Sequence, residues 1–294
     1  MRILVTGSKG QLALSLAAQA SDLHDVELMS LGRPVLDLED PASVRAAIAA
    51  AAPDLIVNAA AYTAVDRAEA DEARAFAVNR DGARAVALAA AAIDAPLIHL
   101  STDYVFDGTK PSPYIETDAT SPLNVYGHSK REGEQAVLAA HPAALVLRTS
   151  WVFSPYGTNF VKTMLRLGAE RDSLRIVSDQ TGNPTSALDI AAAILSIAPQ
   201  AVAAPGDGGI FHLTNAGSTS WFGLAEAVFA ESARHGGRAP ALEPVATAAY
   251  PTPARRPLNS RLETSALAHR FGITLRPWQD AVQETVRRLM TASP

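Results

Sequence analysis

The stretch from Ile3 to Ala13 limits what this chain can fold into more than any other feature. Ile3-Leu4-Val5-Thr6 is a short β-branched and apolar run that leads directly into Gly7-Ser8-Lys9-Gly10-Gln11-Leu12-Ala13. A strand, a two-glycine turn and the opening of a helix, in that order, make a βα unit. Its helix N-terminus presents free N–H groups and partial positive charge, an arrangement that cradles a pyrophosphate. Gly7 and Gly10 permit the tight turn and close backbone approach, and the small Ala13 stands where helix packs on strand. A glycine pair alone also marks an ordinary turn, so the rest of the chain has to decide.

The alternation continues. Gln11–Ala20 reads as a helix, Val26–Ser30 as a strand, and Pro41–Ala51 as a helix capped by Asp40. Leu55–Asn58 reads as a strand and Glu72–Ala92 as one long alanine-rich helix. Leu97–Ser101 and Ala144–Thr149 are further buried strands, separated by a loop and a helix that begins near Asn124. Short apolar strands alternating with helices predict an α/β fold with a doubly wound parallel sheet of Rossmann type. After Thr149 the pattern loosens, and prolines and glycines gather at 203–209 and 236–257. Leu174–Val177 and Ala187–Ile197 are expected to add a strand and a helix to the first sheet. The expected division is a dinucleotide-binding domain of residues 1–150 plus about 172–200, and a smaller C-terminal α/β substrate domain of about 151–171 plus 201–294.

Composition narrows the partners. Of 294 residues, 48% are hydrophobic and 19% charged, which suits a folded core rather than disorder. The net charge of −5 and pI near 5.8 leave no basic footprint for nucleic acid, so phosphate must be met by local groups. With no cysteine, disulfides, thiol catalysis and cysteine-bound metal are excluded. A reducing, cytoplasmic setting is expected. The N-terminal apolar run is too short for a signal peptide, and no stretch of ~20 residues is apolar enough to span a membrane. The seven histidines are scattered without ligand spacing, and no metal is expected.

Tyr126-Gly127-His128-Ser129-Lys130 follows Pro122 at the start of a helix. Positions i and i+4 share one face, so phenol and ammonium can meet. An isolated phenol, with a pKa of about 10, transfers protons poorly at neutral pH, and a nearby ammonium is expected to lower it. The pair is then a usable general acid for a carbonyl oxygen receiving hydride. The bland alternative is a Tyr and a Lys on a helix surface. The preceding Leu97–Thr102 segment, a strand ending in hydroxyls, argues against it, because open α/β sheets bind ligands at the carboxyl ends of their strands. Thr102 is placed to bond the same oxygen. After the second strand no acid is well placed for an adenine ribose, since Glu27 lies inside the strand. Arg33 suits a 2′-phosphate there, which favours NADPH over NADH.

Several motifs then match together: Gly7-x-x-Gly10-x-x-Ala13, Asn58-Ala59-Ala60-Ala61, Ser101-Thr102-Asp103-Tyr104-Val105-Phe106 and Tyr126-x-x-x-Lys130. They resemble the extended short-chain dehydrogenases/reductases that act on sugar nucleotides. Ala59–Asp66, Glu116–Pro122, Arg148–Phe153, Asn159–Met164 and Arg256–Leu262 narrow the likeness to the dTDP-4-dehydrorhamnose reductase family within them. The likeness runs from the first strand to beyond Trp278. It implies reduction of the C4 ketone of a dTDP-linked 4-keto-6-deoxysugar, dTDP-4-dehydro-6-deoxy-L-mannose, to dTDP-L-rhamnose. NADPH (or NADH) would deliver hydride, Tyr126 the proton, Lys130 would tune it and hold the ribose, and Thr102 would polarise the carbonyl.

The resemblance further implies that Gly7, Gly10, Gln11, Leu12, Asp37, Leu38, Ala59, Ala60 and Ala61 line the cofactor. It places Asp103, Tyr104 and Trp151 at the sugar, and Asn159, Lys162, Arg256, Asn259 and Ser260 toward the nucleotide. Three alternatives stand beside it: a related dTDP-4-keto-6-deoxysugar ketoreductase, a sugar-nucleotide epimerase or dehydratase, and a non-catalytic cofactor-binding regulatory subunit. Dehydratases carry an Asp-Glu pair after the threonine, whereas here Tyr104 follows Asp103. Some relatives dimerise through a metal held by an acid of the first helix. Leu14-Ser15-Leu16-Ala17-Ala18 has none, so the expectation is a monomer or homodimer without that metal.

Overall fold

The computed structural model describes residues 1–204, 206 and 208–291. Pro205, Asp207 and the last three residues of the expected substrate domain lie outside it. The chain opens with β1 (Arg2–Thr6), α1 (Gln11–Ala20), β2 (Glu27–Leu31), α2 (Pro41–Ala51) and β3 (Leu55–Asn58). α2 is capped by Asp40, whose carboxylate accepts from the Ala42 N–H at 2.9 Å, with Pro41 at the first turn. After β3 the chain makes α3 (Val65–Ala68), α4 (Glu72–Phe76) and α5 (Ala83–Ala91). The expected single helix of Glu72–Ala92 is interrupted by a π-helical turn at Ala77–Gly82. That turn lets Gly82 press on Leu38, where a Cβ would lie 2.6 Å from the Leu38 carbonyl oxygen. It also buries Asn79, whose amide bonds both the N–H and the carbonyl of Tyr62 and the Ser129 hydroxyl.

β4 (Leu97–Thr102), α6 (Val125–Ala140) and β5 (Leu145–Thr149) complete the regular alternation. All strands of the main sheet are parallel, in the order Gly209–His212, β5, β4, β3, β1, β2. Side chains alternate faces. Ile3, Val5, Leu55, Val57, Ile98 and Leu147 pack against α1 and α8 (Ala187–Ala203). Leu4, Ile56, Leu97 and Val146 pack against α2, α5 and α6. Because both faces are covered, the strands read as continuous apolar runs.

The structure corrects the expected sixth strand. Ser173–Val177 pairs in parallel with Ala241–Val245, outside the main sheet, while Gly209–His212 takes the edge beside β5. In Ser173-Leu174-Arg175-Ile176-Val177 only Leu174 and Ile176 are buried, a one-sided alternation unsuited to a sheet covered on both faces. The true edge strand was hidden among glycines. One of them, Gly208, is needed where the chain crosses the Pro142–Ala143 backbone at 2.5–2.7 Å from a would-be Cβ. Ala187–Ala203 does pack on the first sheet, through α1. A separate core joins α7 (Phe160–Glu170), α9 (Trp221–Arg234) and α11 (Trp278–Thr291) around Met164, Ile176, Leu224, Phe229 and Val282. Among the described residues no helix is long and apolar enough to cross a membrane.

Candidate active site

The sheet order reverses between β1 and β3, so their carboxyl ends flank the topological switch point where such sheets bind ligands. Gly7 stands there at φ +86°, with its N–H donating to the Leu31 carbonyl. A Cβ on it would touch Ala60 at 3.4 Å, which keeps the turns after β1 and β3 close together. Gly10 caps α1 with no side-chain bond and has open space around it, so the helix N-terminus is uncovered for a diphosphate. Beneath, the Thr6 hydroxyl donates to Asn58 Oδ1 at 2.6 Å and accepts from the Ala60 N–H at 3.1 Å. Asn58 Nδ2 meets His99 Nδ1 at 3.0 Å, so a buried polar row braces three strand ends. Thr6, Asn58 and His99 are residues that sequence reasoning left without a role.

Arg33 extends from the end of β2, well exposed, with only a loose ion pair to Glu39 at 3.8 Å. Its guanidinium is open to a 2′-phosphate. Leu38 is a core side chain, and Asp37 turns its carboxylate onto the Glu39 N–H. Gln11 spans outward: its side-chain oxygen accepts from Ser154 Oγ and Asn159 Nδ2, each at 2.9 Å. Free N–H groups, a positive-φ glycine and an uncommitted arginine fit a phosphorylated dinucleotide.

The catalytic candidates converge at β4 and α6. Asn124 caps α6 by accepting from the Gly127 N–H at 2.8 Å, and its amide reaches across to the Arg255 carbonyl at 2.7 Å. Gly127 lets the helix touch the turn after β4, since a Cβ there would lie 2.2 Å from the Tyr104 carbonyl oxygen. The Tyr126 ring packs edge-on against Tyr104 with centroids 5.9 Å apart. Burial pushes the Tyr126 phenol up to about 12, opposed by the neighbouring Thr102 hydroxyl and reinforced by the Asp103 charge. This corrects the expected tuning. The Lys130 ammonium donates to the Leu100 carbonyl at 2.6 Å, and burial lowers it to about 8. Thr102, rather than Lys130, is the polar neighbour that lowers the phenol against burial. A phenol near 12 is fully protonated at neutral pH, which is what a proton donor needs.

Around this pair, Asp103 accepts from Thr102 Oγ1 at 3.0 Å and from Ser150 Oγ at 3.1 Å, with Ser260 close by. Burial pushes its carboxyl up to about 6 despite these bonds. The Tyr104 phenol is raised too, first by burial and then by Asp103, with the neighbouring Arg256 opposing them. Tyr104 therefore supplies no second acid–base carboxylate beside Asp103. Trp151 sits at φ +47°, a conformation costly for a bulky residue, and stacks on Trp221 with centroids 3.6 Å apart and planes 5° from parallel. Trp221, fixed by Gln180 at 3.1 Å, was missed because nothing near it in sequence marks a site.

The nucleotide-end candidates are less free than their residue types suggest. Asn159 caps α7 through Lys162 N–H and spends its amide on Gln11 and the Ser154 carbonyl. Lys162 Nζ bonds the Pro155 carbonyl at 3.1 Å. Arg256 makes a two-pronged ion pair with Asp66, at 3.0 and 2.7 Å. Asn259 is turned onto the Lys110 and Ser112 carbonyls. Ser260 is buried against Asp103. The structure brings Thr102, Asp103, Tyr104, Tyr126, Arg256 and Ser260 together, and leaves Asn159 and Asn259 as braces. Among the described residues no group of three or more acids and histidines is close enough to hold a metal ion.

The model of the RmlD substrate binding domain matches residues 1–291. The chain belongs to this family. It is 51% identical over 292 residues to the dTDP-4-dehydrorhamnose reductase of Sinorhizobium fredii, covering 99% of this chain and 98% of that one. The crystal structure of a dTDP-4-dehydrorhamnose reductase from Clostridium acetobutylicum superposes with a TM-score of 0.92 at 35% identity, covering 99% of this chain and 100% of that one. That of Bacillus anthracis, solved in complex with NADP, gives 0.90 at 33% identity, covering 98% and 99%. In this RmlD-family chain the matched region takes in both the main sheet and the separate core around α7, α9 and α11.

Proposed function

We propose that this chain reduces the C4 ketone of dTDP-4-dehydro-6-deoxy-L-mannose to dTDP-L-rhamnose with NADPH. The observation that carries the reading is the convergence of Thr102 and Tyr126 at the carboxyl end of β4, beside a buried Lys130 and with Tyr104 where a dehydratase needs a second carboxylate. Bound dinucleotide supplies the hydride. Thr102, its own hydroxyl donating to Asp103, lies beside Tyr126, and Tyr126 passes its proton to the ketone oxygen as negative charge develops there. The alkoxide being formed is far more basic than a phenolate of pKa about 12, so the transfer runs downhill. Lys130 meets the cofactor ribose and keeps positive charge near the phenolate left behind. Arg33 meets the 2′-phosphate, and the uncapped start of α1 meets the pyrophosphate.

In the same reading, the stacked Trp151 and Trp221 present an apolar wall to the sugar's methyl and C–H groups. Arg256 lies beside Tyr104 and faces the sugar-diphosphate. The dinucleotide-binding domain is taken as the six-stranded sheet with its flanking helices, and the substrate domain as the unit around the α7, α9 and α11 core. The cysteine-free chain suits the cytoplasm, as a monomer or homodimer.

The test is an assay of NADPH consumption with dTDP-4-dehydrorhamnose and several other dTDP-4-keto-6-deoxysugars, with products identified by NMR. Stoichiometric NADPH loss and dTDP-L-rhamnose are expected. Preferred turnover of another sugar reassigns the substrate. Conversion without net NADPH consumption removes the reductase reading in favour of epimerisation or dehydration.

A further inference from the structure

The site uses Lys130 but leaves unexplained a buried ion pair just behind it. Glu134 and Arg148 are each 3% exposed in their side chains. Arg148 Nε donates to Glu134 Oε1 at 2.8 Å and Nη2 to Oε2 at 2.7 Å, and Ser101 Oγ donates to Oε1 at 2.5 Å. Burying such a pair usually costs more in lost hydration than the attraction returns, so stability is a weak reason for its presence. Glu134 is four residues beyond Lys130 on α6, hence on the same helix face. Ser101, which it grips, lies between Leu100, whose carbonyl holds Lys130, and Thr102, which neighbours Tyr126.

We propose that Glu134, clamped by Arg148 and Ser101, is a positioning residue that keeps the Lys130 ammonium charged and aligned at the active site. This rests on the reductase reading above. Lys130 is buried away from water, and among the described residues its ammonium bonds only a neutral carbonyl, that of Leu100. Burial drives it toward the neutral amine, and Glu134 is the charge that opposes this. The remaining groups around it offer no substitute. From β4, His99 is held neutral by burial and by Lys130 itself. From its own helix, Tyr126 is a protonated phenol, and Asp103, on the turn after β4, is ionised above about pH 6 but turns its carboxylate onto the Thr102 and Ser150 hydroxyls rather than onto Lys130. From β5, Arg148 is positive, and from the edge strand His212 is pushed down to about 3 by burial and by Arg148. Elsewhere on α6, Glu132 pairs with Arg80 and Arg131 bonds Thr120.

Activity that needs the ammonium falls as pH rises through the Lys130 pKa. Glu134→Gln removes the supporting negative charge and leaves Arg148 positive, so the alkaline limb of kcat moves to lower pH by about one unit. Glu134→Gln with Arg148→Met removes both charges, and its limb falls between the other two. A purely structural role would lower stability without this charge order. The Lys130 titration is also read directly, without substrate, by NMR of 13Cε-lysine in a chain that has four lysines, the signal being assigned with Lys130→Met.

A lowered NMR midpoint in the single variant, and a smaller lowering in the double, support the proposal. Should the single variant not fold, the double variant decides: its midpoint must lie below wild type. Midpoints and limbs equal to wild type overturn the proposal. Wild-type protein that titrates as described yet reduces no sugar nucleotide overturns the reaction reading instead.

Discussion

Tyr126 and Asp103 are two buried acids of opposite use. In the proposed reaction Tyr126 keeps its proton until a carbonyl oxygen needs it. Tyr126→Phe keeps the ring against Tyr104 and removes the proton, so kcat is expected to fall by at least ~10²-fold. Affinity for NADPH, measured by fluorescence titration, should stay near wild type. Near-normal turnover would take Tyr126 out of the chemistry. Asp103 holds the Thr102 and Ser150 hydroxyls and carries a folded-state pKa raised to about 6. For an acid whose folded pKa exceeds its unfolded value, the folded state binds the proton more tightly. Stability is therefore highest when the group is protonated, and it is lost as pH rises from the unfolded pKa through about 6. Between about pH 5 and about pH 8 this loss is on the order of 1 kcal/mol. Asp103→Asn should abolish that part of the slope in urea melts at the two pH values, and an unchanged slope would count against a raised Asp103.

α6 shows how one element delivers several functional groups. Asn124 starts it, Tyr126, Lys130 and Glu134 follow one face, and Gly127 sets its distance from β4. The i, i+4 spacing of tyrosine and lysine was legible because a helix has a fixed period. The need for glycine at 127 was not, because the obstacle is the backbone of Tyr104, distant in sequence. Gly127→Ala must push the helix from the Tyr104 carbonyl. It is expected to cost roughly 2 kcal/mol of stability, as overpacking does, and to lower kcat by separating Tyr126 from Thr102. Denaturant melts and turnover check this together, and a variant as stable and active as wild type would show that α6 has slack. The π-helical turn at Ala77–Gly82 is a similar case. Its composition reads as plain helix, and only the packing of Gly82 on Leu38 and of Gly133 on Asn79 makes the extra residue necessary.

Across the whole molecule, polar contacts tie the sheet to the rest of the chain at the mouth of the site. Gln11 bonds Asn159, Asn124 bonds the Arg255 carbonyl, and Asp66 grips Arg256. The Asp66 carboxylate lies below its usual range, first because of the hydrogen bond from Arg256. Its side chain is partly exposed, so the pair adds little to stability but fixes where the guanidinium points. Asp66→Asn should raise KM for the dTDP-sugar by roughly tenfold, the weight of one charge-assisted contact, with kcat and melting temperature nearly kept. An unchanged KM would remove Arg256 from ligand binding.

Read by itself, the sequence determined the βα alternation, the glycine turn, the parallel sheet, and the i, i+4 pairing of Tyr126 and Lys130 on one helix. These follow from periodicity and from spacings within a single element, which are local physics. Tertiary structure alone decided that Ser173–Val177 leaves the main sheet and that Gly209–His212 joins it, because an edge position is settled by what covers it. It alone decided that Lys130 bonds Leu100 rather than Tyr126, and that Glu134 and Arg148 lie buried behind it. It also turned Asn159 and Asn259 into braces. A side chain's residue type says what it can bond, but the neighbours that fill its donors and acceptors come from distant parts of the chain. The glycine turn after β1 thus foretold a nucleotide, while the charge that keeps Lys130 at work was visible only once β4, β5 and α6 had packed.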